Sequence, residues 1–120
     1  FLGLSSLLDS IAGSLAYGQQ KLLGIGMAMM VSPKLMLMDE PAAGLNSSEK
    51  RVIAQLIRRL RSERGVGVLI VEHDMPLVMG VCDRILVLNQ GKPIAIGTPD
   101  EIKADPRVID AYLGEDYEFA

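Results

Sequence analysis

The sequence predicts an α/β fold: a parallel sheet with flanking helices, followed by a C-terminal hairpin and short helices. Three observations carry that prediction. Strand-length apolar runs alternate with stretches of helical periodicity, the pattern of crossover-connected parallel strands. The first two strand runs both end in polar residues, Asp39-Glu40 and Glu72-His73-Asp74, and the carboxyl ends of strands are where open α/β sheets bind ligands. The hydrophobic fraction is 49% and the mean hydropathy +0.28. So apolar a composition predicts strands buried on both faces, or surface meant for a partner.

The elements follow in order. Residues 1–13 mix apolar residues with Ser, Asp and Gly and read as the end of a helix and a loop. Leu15-Ala16-Tyr17-Gly18-Gln19-Gln20 is turn-like and opens a helix running to about residue 31. Leu22, Leu23, Ile25, Met27, Met29 and Met30 nearly encircle that helix, so it is expected to be largely buried. Ser32-Pro33 ends it. Residues 35–39 read as a buried strand, and Ala42-Ala43-Gly44-Leu45-Asn46 as a loop. Asn46 or Ser47 can cap the next helix, with Glu49 in its first turn. Val52, Ile53, Leu56, Ile57 and Leu60 give that helix its 3.6-residue apolar period, and it ends near Arg64-Gly65. Its basic residues read as a solvated face.

Residues 66–71 form a second apolar, β-branched strand, and a short helix spans 75–81. Strands at 83–88 and 93–96 flank Asn89-Gln90-Gly91-Lys92, a hairpin signal. Thr98-Pro99-Asp100-Glu101 has the form of a capping box with Pro at the first helical position. Asp105-Pro106 starts one more short helix to about residue 113, and the acidic tail from Gly114 is expected to fray.

The totals exclude several classes. A chain of 120 residues holds one small core. A net charge of −3 and a pI of about 5.1 leave no basic footprint for nucleic acid. Cys82 is the single cysteine, with no disulfide partner or metal-type pair, which suits a reducing cytoplasm. The longest apolar stretch, 22–38, is broken by Ser32-Pro33-Lys34 and is no membrane span. No signal peptide is visible. The chain opens at Phe1 in mid-pattern and reads as a C-terminal piece of something longer.

The adjacent acids Asp39 and Glu40 are costly at a strand end unless a cation or a reaction uses them; the plainer alternative is an acidic turn. With Gly18-Gln19 opening one helix and His73 after the next strand, they span the reach of a phosphate-chemistry site. Hydrolysis of a phosphoanhydride needs a metal near the β and γ phosphates, a group that orients the attacking water, and donors to the γ phosphate. Asp39 suits the metal, directly or through a water. Glu40 suits the water, and His73 the γ phosphate or the water. The helix start at Tyr17-Gly18-Gln19 offers backbone N–H groups to an anion.

Leu15 to Gln20, Leu35 to Pro41, Ala43-Gly44-Leu45-Asn46 and Val71-Glu72-His73-Asp74, in that order, resemble the signature loop, Walker B strand, D-loop and H-loop of an ABC-type ATPase, in its C-terminal half. The Leu-Ala-Tyr-Gly-Gln signature, Glu40 to Asn46, Glu72-His73-Asp74-Met75 and the tail from Gly97-Thr98-Pro99 through Tyr112-Leu113-Gly114-Glu115 are similar to the ATP-binding subunits of branched-chain amino-acid importers. The resemblance implies a partial P-loop NTPase fold, with 1–31 as the end of the helical subdomain and signature helix, 32–97 as the core, and 98–120 as C-terminal helices and tail. It implies ATP and Mg²⁺ as ligands of the parent subunit, Asp39 for the metal, and Glu40 and His73 as catalytic residues. Ala16, Tyr17, Gly18 and Gln19 would serve the nucleotide of a second ATP-binding subunit, with Asn46 in the D-loop. The parent would dock under transmembrane permeases at the cytoplasmic face of the membrane.

Ala16 and Tyr17 stand where the wider family has Ser-Gly, and Asn46 where it has Asp. Leu22, Gly24 and Met27 occupy positions usually polar or charged, including an Arg. No G-x-x-x-x-G-K-[ST] phosphate loop occurs in the 120 residues, nor do the base-stacking aromatic and the Gln-loop that the family places upstream. The chain alone is therefore expected to bind ATP weakly at most and not to hydrolyse it. In this family the strand leading to the phosphate loop lies beside the strand ending at His73, so a bare apolar edge along 66–71 is expected to drive self-association.

Overall fold

The computed structural model of the chain describes residues 1–113. Two compact units are present, Phe1–His73 and a second from Asp74 onward. The tail from Gly114 lies outside the described residues.

In the first unit, Ser5–Leu7 and Ala12–Ser14 form single 3₁₀ turns, where the sequence predicts the end of a helix. Ser5, Ser6, Asp9, Ser10 and two glycines within thirteen residues offer the backbone competing local bonds, and no sustained apolar period offsets the cost of helix nucleation. Helix α1 covers Tyr17–Met29, and its expected burial is not found: Gly18 is its only fully buried residue, and Met30, at its C-terminal cap, is 84% exposed. A helix that is apolar all round needs neighbours on every side, and this chain supplies them for only part of it.

Strand β1 (Leu35–Asp39) pairs in parallel with β2 (Gly67–Val71), Leu35 opposite Gly67 and Asp39 opposite Val71. The expected burial on both faces is also corrected. Met36 and Met38 are buried, whereas Leu37 is 69% exposed and Leu35, Leu69 and Val71 are exposed with it. Of the two explanations for the apolar composition, burial on both faces is excluded for this strand pair.

Helix α2 (Ser47–Arg64) connects the two strands and packs on β2. Ile53, Leu56, Ile57 and Leu60 are buried, spaced as the apolar period requires, while Val52 falls on the exposed side. Its start is a full capping box. Asn46 Oδ1 accepts the N–H groups of Ser48 and Glu49 at 2.9 and 3.0 Å, and Glu49 Oε2 accepts the Asn46 N–H at 2.9 Å. Gly65 closes the helix at φ 64°, a left-handed conformation that favours glycine. Asn46→Ala is expected to destabilise this unit by about 1 kcal/mol, read as a lower urea midpoint at unchanged slope.

In the second unit, Asp74 caps α3 (Met75–Val81) by accepting the Leu77 N–H at 3.0 Å. Strands β3 (Ile85–Asn89) and β4 (Lys92–Gly97) form the expected hairpin, β3 starting two residues later than the sequence predicts. Gln90 and Gly91 both have positive φ, the requirement of a two-residue turn that follows strand twist. Thr98 and Glu101 make the expected capping box of α4 (Pro99–Ala104). The last helix is one short turn, α5 (Pro106–Val108), running into a π-helical turn at Ile109–Leu113. Ala95, Ile102 and Val108 form the core, with Met75, Met79, Ile85, Val87 and Ile109 against them.

Asp105 caps α5 and accepts the Arg107 guanidinium at 2.7 and 3.1 Å. That hydrogen-bonded cation holds the Asp105 carboxyl below its ordinary pKa. Its small stabilising contribution is therefore complete above the ordinary carboxylate pKa and is lost as pH falls through the depressed one. Asp105→Asn keeps the cap and is expected to flatten the acid limb of a stability–pH profile.

Candidate phosphate site

β1 and β2 are in register to their ends, so Asp39 and Val71 lie opposite each other and the residues that follow emerge side by side. The Glu40 N–H donates to the Val71 carbonyl at 2.8 Å, adding one more rung. Glu40 then turns the chain with φ 45°, a left-handed conformation that costs a non-glycine residue about 1–2 kcal/mol. It places Glu40 Oε1 3.2 Å from His73 Nδ1, with both side chains open to solvent at 51% and 75% exposure. The two proposed catalytic residues, 33 positions apart, are thus neighbours.

Glu72 braces this end of the sheet. One carboxylate oxygen accepts the Ala42 N–H at 2.8 Å, and the other accepts the His73 N–H at 3.0 Å. Sequence reasoning places Glu72 only within a polar cluster at the strand end. Asp39 is exposed at the end of β1. No group of three His, Cys, Asp or Glu residues able to hold a metal ion occurs among the described residues. An exposed carboxylate at a strand end is the kind of group that Mg²⁺ uses, since that ion is bound through one or two carboxylates together with phosphate oxygens and waters.

The start of α1 is built against the loop after β1. Gln19 Oε1 accepts the Ala16 N–H at 3.0 Å, which is half of a capping box, because alanine has no side-chain acceptor to complete it. The first-turn N–H groups of Tyr17, Gly18 and Gln19 are those an α-helix leaves without intrahelical acceptors. Gly18 sits so near α2 that a Cβ there would lie 2.7 Å from Glu49 Oε1. The Tyr17 ring lies on Gly44, whose φ is 74°, and a Cβ on Gly44 would meet the ring at 3.0 Å. Asn46 Oδ1 is engaged as the cap of α2, so its observed work is structural. A cleft of about 250 Å³ opens beside the α1 start, lined by Ala16, Gly18, Gln19, Leu45, Glu49 and Val52 among others. Lys21, which sequence reasoning leaves without a role, places its ammonium 3.0 Å from the Glu40 carbonyl and 5.5 Å from the centre of the Tyr17 ring. Its position four residues after Tyr17, on the same helix face, was the sequence signal for that pairing.

A family model described as "Branched-chain amino acid ATP-binding cassette transporter" matches residues 92–118. Over 114 residues the chain is 52% identical to the high-affinity branched-chain amino acid transport ATP-binding protein BraF of Pseudomonas aeruginosa, covering 95% of this chain and 45% of that protein. The chain matches part of an ABC transporter ATP-binding subunit of the branched-chain amino-acid type. It spans about half the length of the relatives it matches. The lipopolysaccharide export system ATP-binding protein LptB of Acidithiobacillus ferridurans is 39% identical over 117 residues, with 98% of this chain and 48% of that protein covered. The ADP conformation of MJ1267, an ATP-binding cassette of an ABC transporter, superimposes with a TM-score of 0.84 at 37% identity, over 95% of this chain and 46% of that one. The fold is thus a partial ABC ATPase fold, holding under half of the ATPase. No helix among the described residues is long and apolar enough to cross a membrane.

Proposed function

We propose that the chain belongs to the ATP-hydrolysing subunit of a branched-chain amino-acid importer. The observation that carries this reading is the Glu40–His73 pair, 3.2 Å apart where two parallel strands end. Glu40 orients the attacking water and takes its proton, and its solvent-open carboxylate gives that water access. His73, held beside Glu40 by its own backbone bond to Glu72, donates to the γ phosphate. Asp39 would hold Mg²⁺, directly or through a water, and the ion would supply positive charge against that developing on the phosphates. Tyr17, Gly18 and Gln19 present backbone donors to the nucleotide of a second ATP-binding subunit, with Ala16 and Asn46 fixing the flanking turns. The subunit works at the cytoplasmic face of the membrane, under permease partners. The 120 residues alone, which contain no phosphate loop, turn over no ATP.

Import of branched-chain amino acids is favoured over lipopolysaccharide export by the family model at 92–118 and by 52% against 39% identity. The test uses the full-length subunit in cells lacking the ATP-binding subunits of their branched-chain amino-acid importer. Restored uptake of labelled leucine, isoleucine and valine is expected. Rescue of a strain lacking LptB, without restored uptake, would overturn the importer reading.

A further inference from the structure

The Glu40 backbone is held in an unfavourable conformation, and the holding groups can be named. A left-handed non-glycine residue persists only where its surroundings over-determine it. The Glu40 N–H is tied to Val71 at 2.8 Å. Its carbonyl accepts two donors, the Ala43 N–H at 3.1 Å and the Lys21 ammonium at 3.0 Å. The Ala43 bond is an ordinary turn bond. The Lys21 bond is charge-assisted, which makes it about twice as strong as a neutral one, and it comes from a different element, 19 residues earlier. Lys21 is itself restrained: its ammonium lies 5.5 Å from the Tyr17 ring centre, and that ring rests on Gly44 in the same loop.

We propose that Lys21 is a positioning residue for Glu40: its ammonium clamps the Glu40 carbonyl, fixing the left-handed backbone that aims the carboxylate at His73. Resting on the ATPase reading above, the clamp also ties α1 to the hydrolytic carboxylate of the same chain. Because Lys21 stands one turn into α1, a displacement of that helix start is transmitted to the Glu40 peptide without passing through the nucleotide. Three features suit Lys21 to this role. Its stem is long enough to cross from α1 to the loop, its charge suits a carbonyl, and its aromatic neighbour limits where the ammonium can go.

Hydrogen exchange at single-amide resolution tests the clamp in the full-length subunit, with no nucleotide. In Lys21→Met, which keeps the stem and removes the donor, the Glu40 amide is expected to exchange about tenfold faster, with Leu56 and Leu60 of α2 unchanged. Lys21→Arg, which keeps a cationic donor, is expected to restore slow exchange at Glu40. Unchanged exchange at Glu40 in Lys21→Met, or an equal acceleration at the α2 amides, would overturn the clamp. In the full-length subunit, Lys21→Met is expected to lower kcat about tenfold at unchanged KM for nucleotide, with recovery in Lys21→Arg. A loss that appears in KM alone would overturn the positioning role. If the ATPase reading itself were wrong, the unmutated subunit would show no turnover while the exchange result at Glu40 still stood, so the two failures are distinct.

Discussion

Glu40→Gln in the full-length subunit is expected to reduce ATP turnover by about 10²- to 10⁴-fold, the usual contribution of a positioned general base, while nucleotide binding persists. The substitution is nearly isosteric, and the carboxamide can keep a hydrogen bond to His73 Nδ1, now at 3.2 Å from the carboxylate. What it removes is the capacity to take a proton. The bonds from Val71, Ala43 and Lys21 engage the backbone N–H and carbonyl of residue 40, which the substitution leaves in place, so the loop is expected to keep its shape. Steady-state hydrolysis beside equilibrium binding of a labelled nucleotide separates the two effects. Turnover at the unmutated rate would reduce Glu40 to the acidic end of a turn.

Leu60→Ala is expected to be the most disruptive single truncation in the first unit, at about 2–5 kcal/mol. Leu60 is 0% exposed, and its carbonyl also accepts the N–H groups of Gly65 and Val66 where α2 turns into β2. A cavity there loosens both the helix and its exit. Since small domains are stable by about 5–15 kcal/mol, the loss is a large share of the total. Val52→Ala, on the exposed side of the same helix, is expected to cost less than about 0.5 kcal/mol. Urea unfolding of the two variants, compared at equal slope, gives the contrast; similar midpoints would place the core elsewhere.

The sequence was most legible where local chemistry decides the outcome. Thr98 with Glu101 and the turn at Gln90-Gly91 form as read, and of the two candidate caps of α2, Asn46 or Ser47, it is Asn46 that caps, with Glu49 closing a box through bonds within three residues. The apolar period of α2 was equally clear, because one face of that helix has a neighbour to bury against. Burial of α1, β1 and β2 was misjudged for the opposite reason. An apolar run states what a segment would bury, and whether a neighbour covers it depends on residues far along the chain or outside it. At the candidate site, the proximity of Glu40 and His73 was anticipated from a resemblance in motif order, and the left-handed turn that achieves it was not. Glu72 reads only as one of a polar cluster, and the bonds that show what Glu72 and Lys21 do, to the backbone of Ala42, His73 and Glu40, leave little mark in a residue pattern.

The two strand pairs differ in a way that bears on how the molecule assembles. The hairpin joins Asn89 to Lys92 across two residues, so it can zip from its turn at little loop-closure cost. The parallel pair joins Leu35 to Gly67 with the whole of α2 between them, and its contacts gain nothing until that helix has formed and folded back. Pairings so distant along the chain form slowly. The Glu40–His73 geometry, which depends on that pair, is therefore among the last features to appear during folding, and during synthesis it must wait until His73 has left the ribosome.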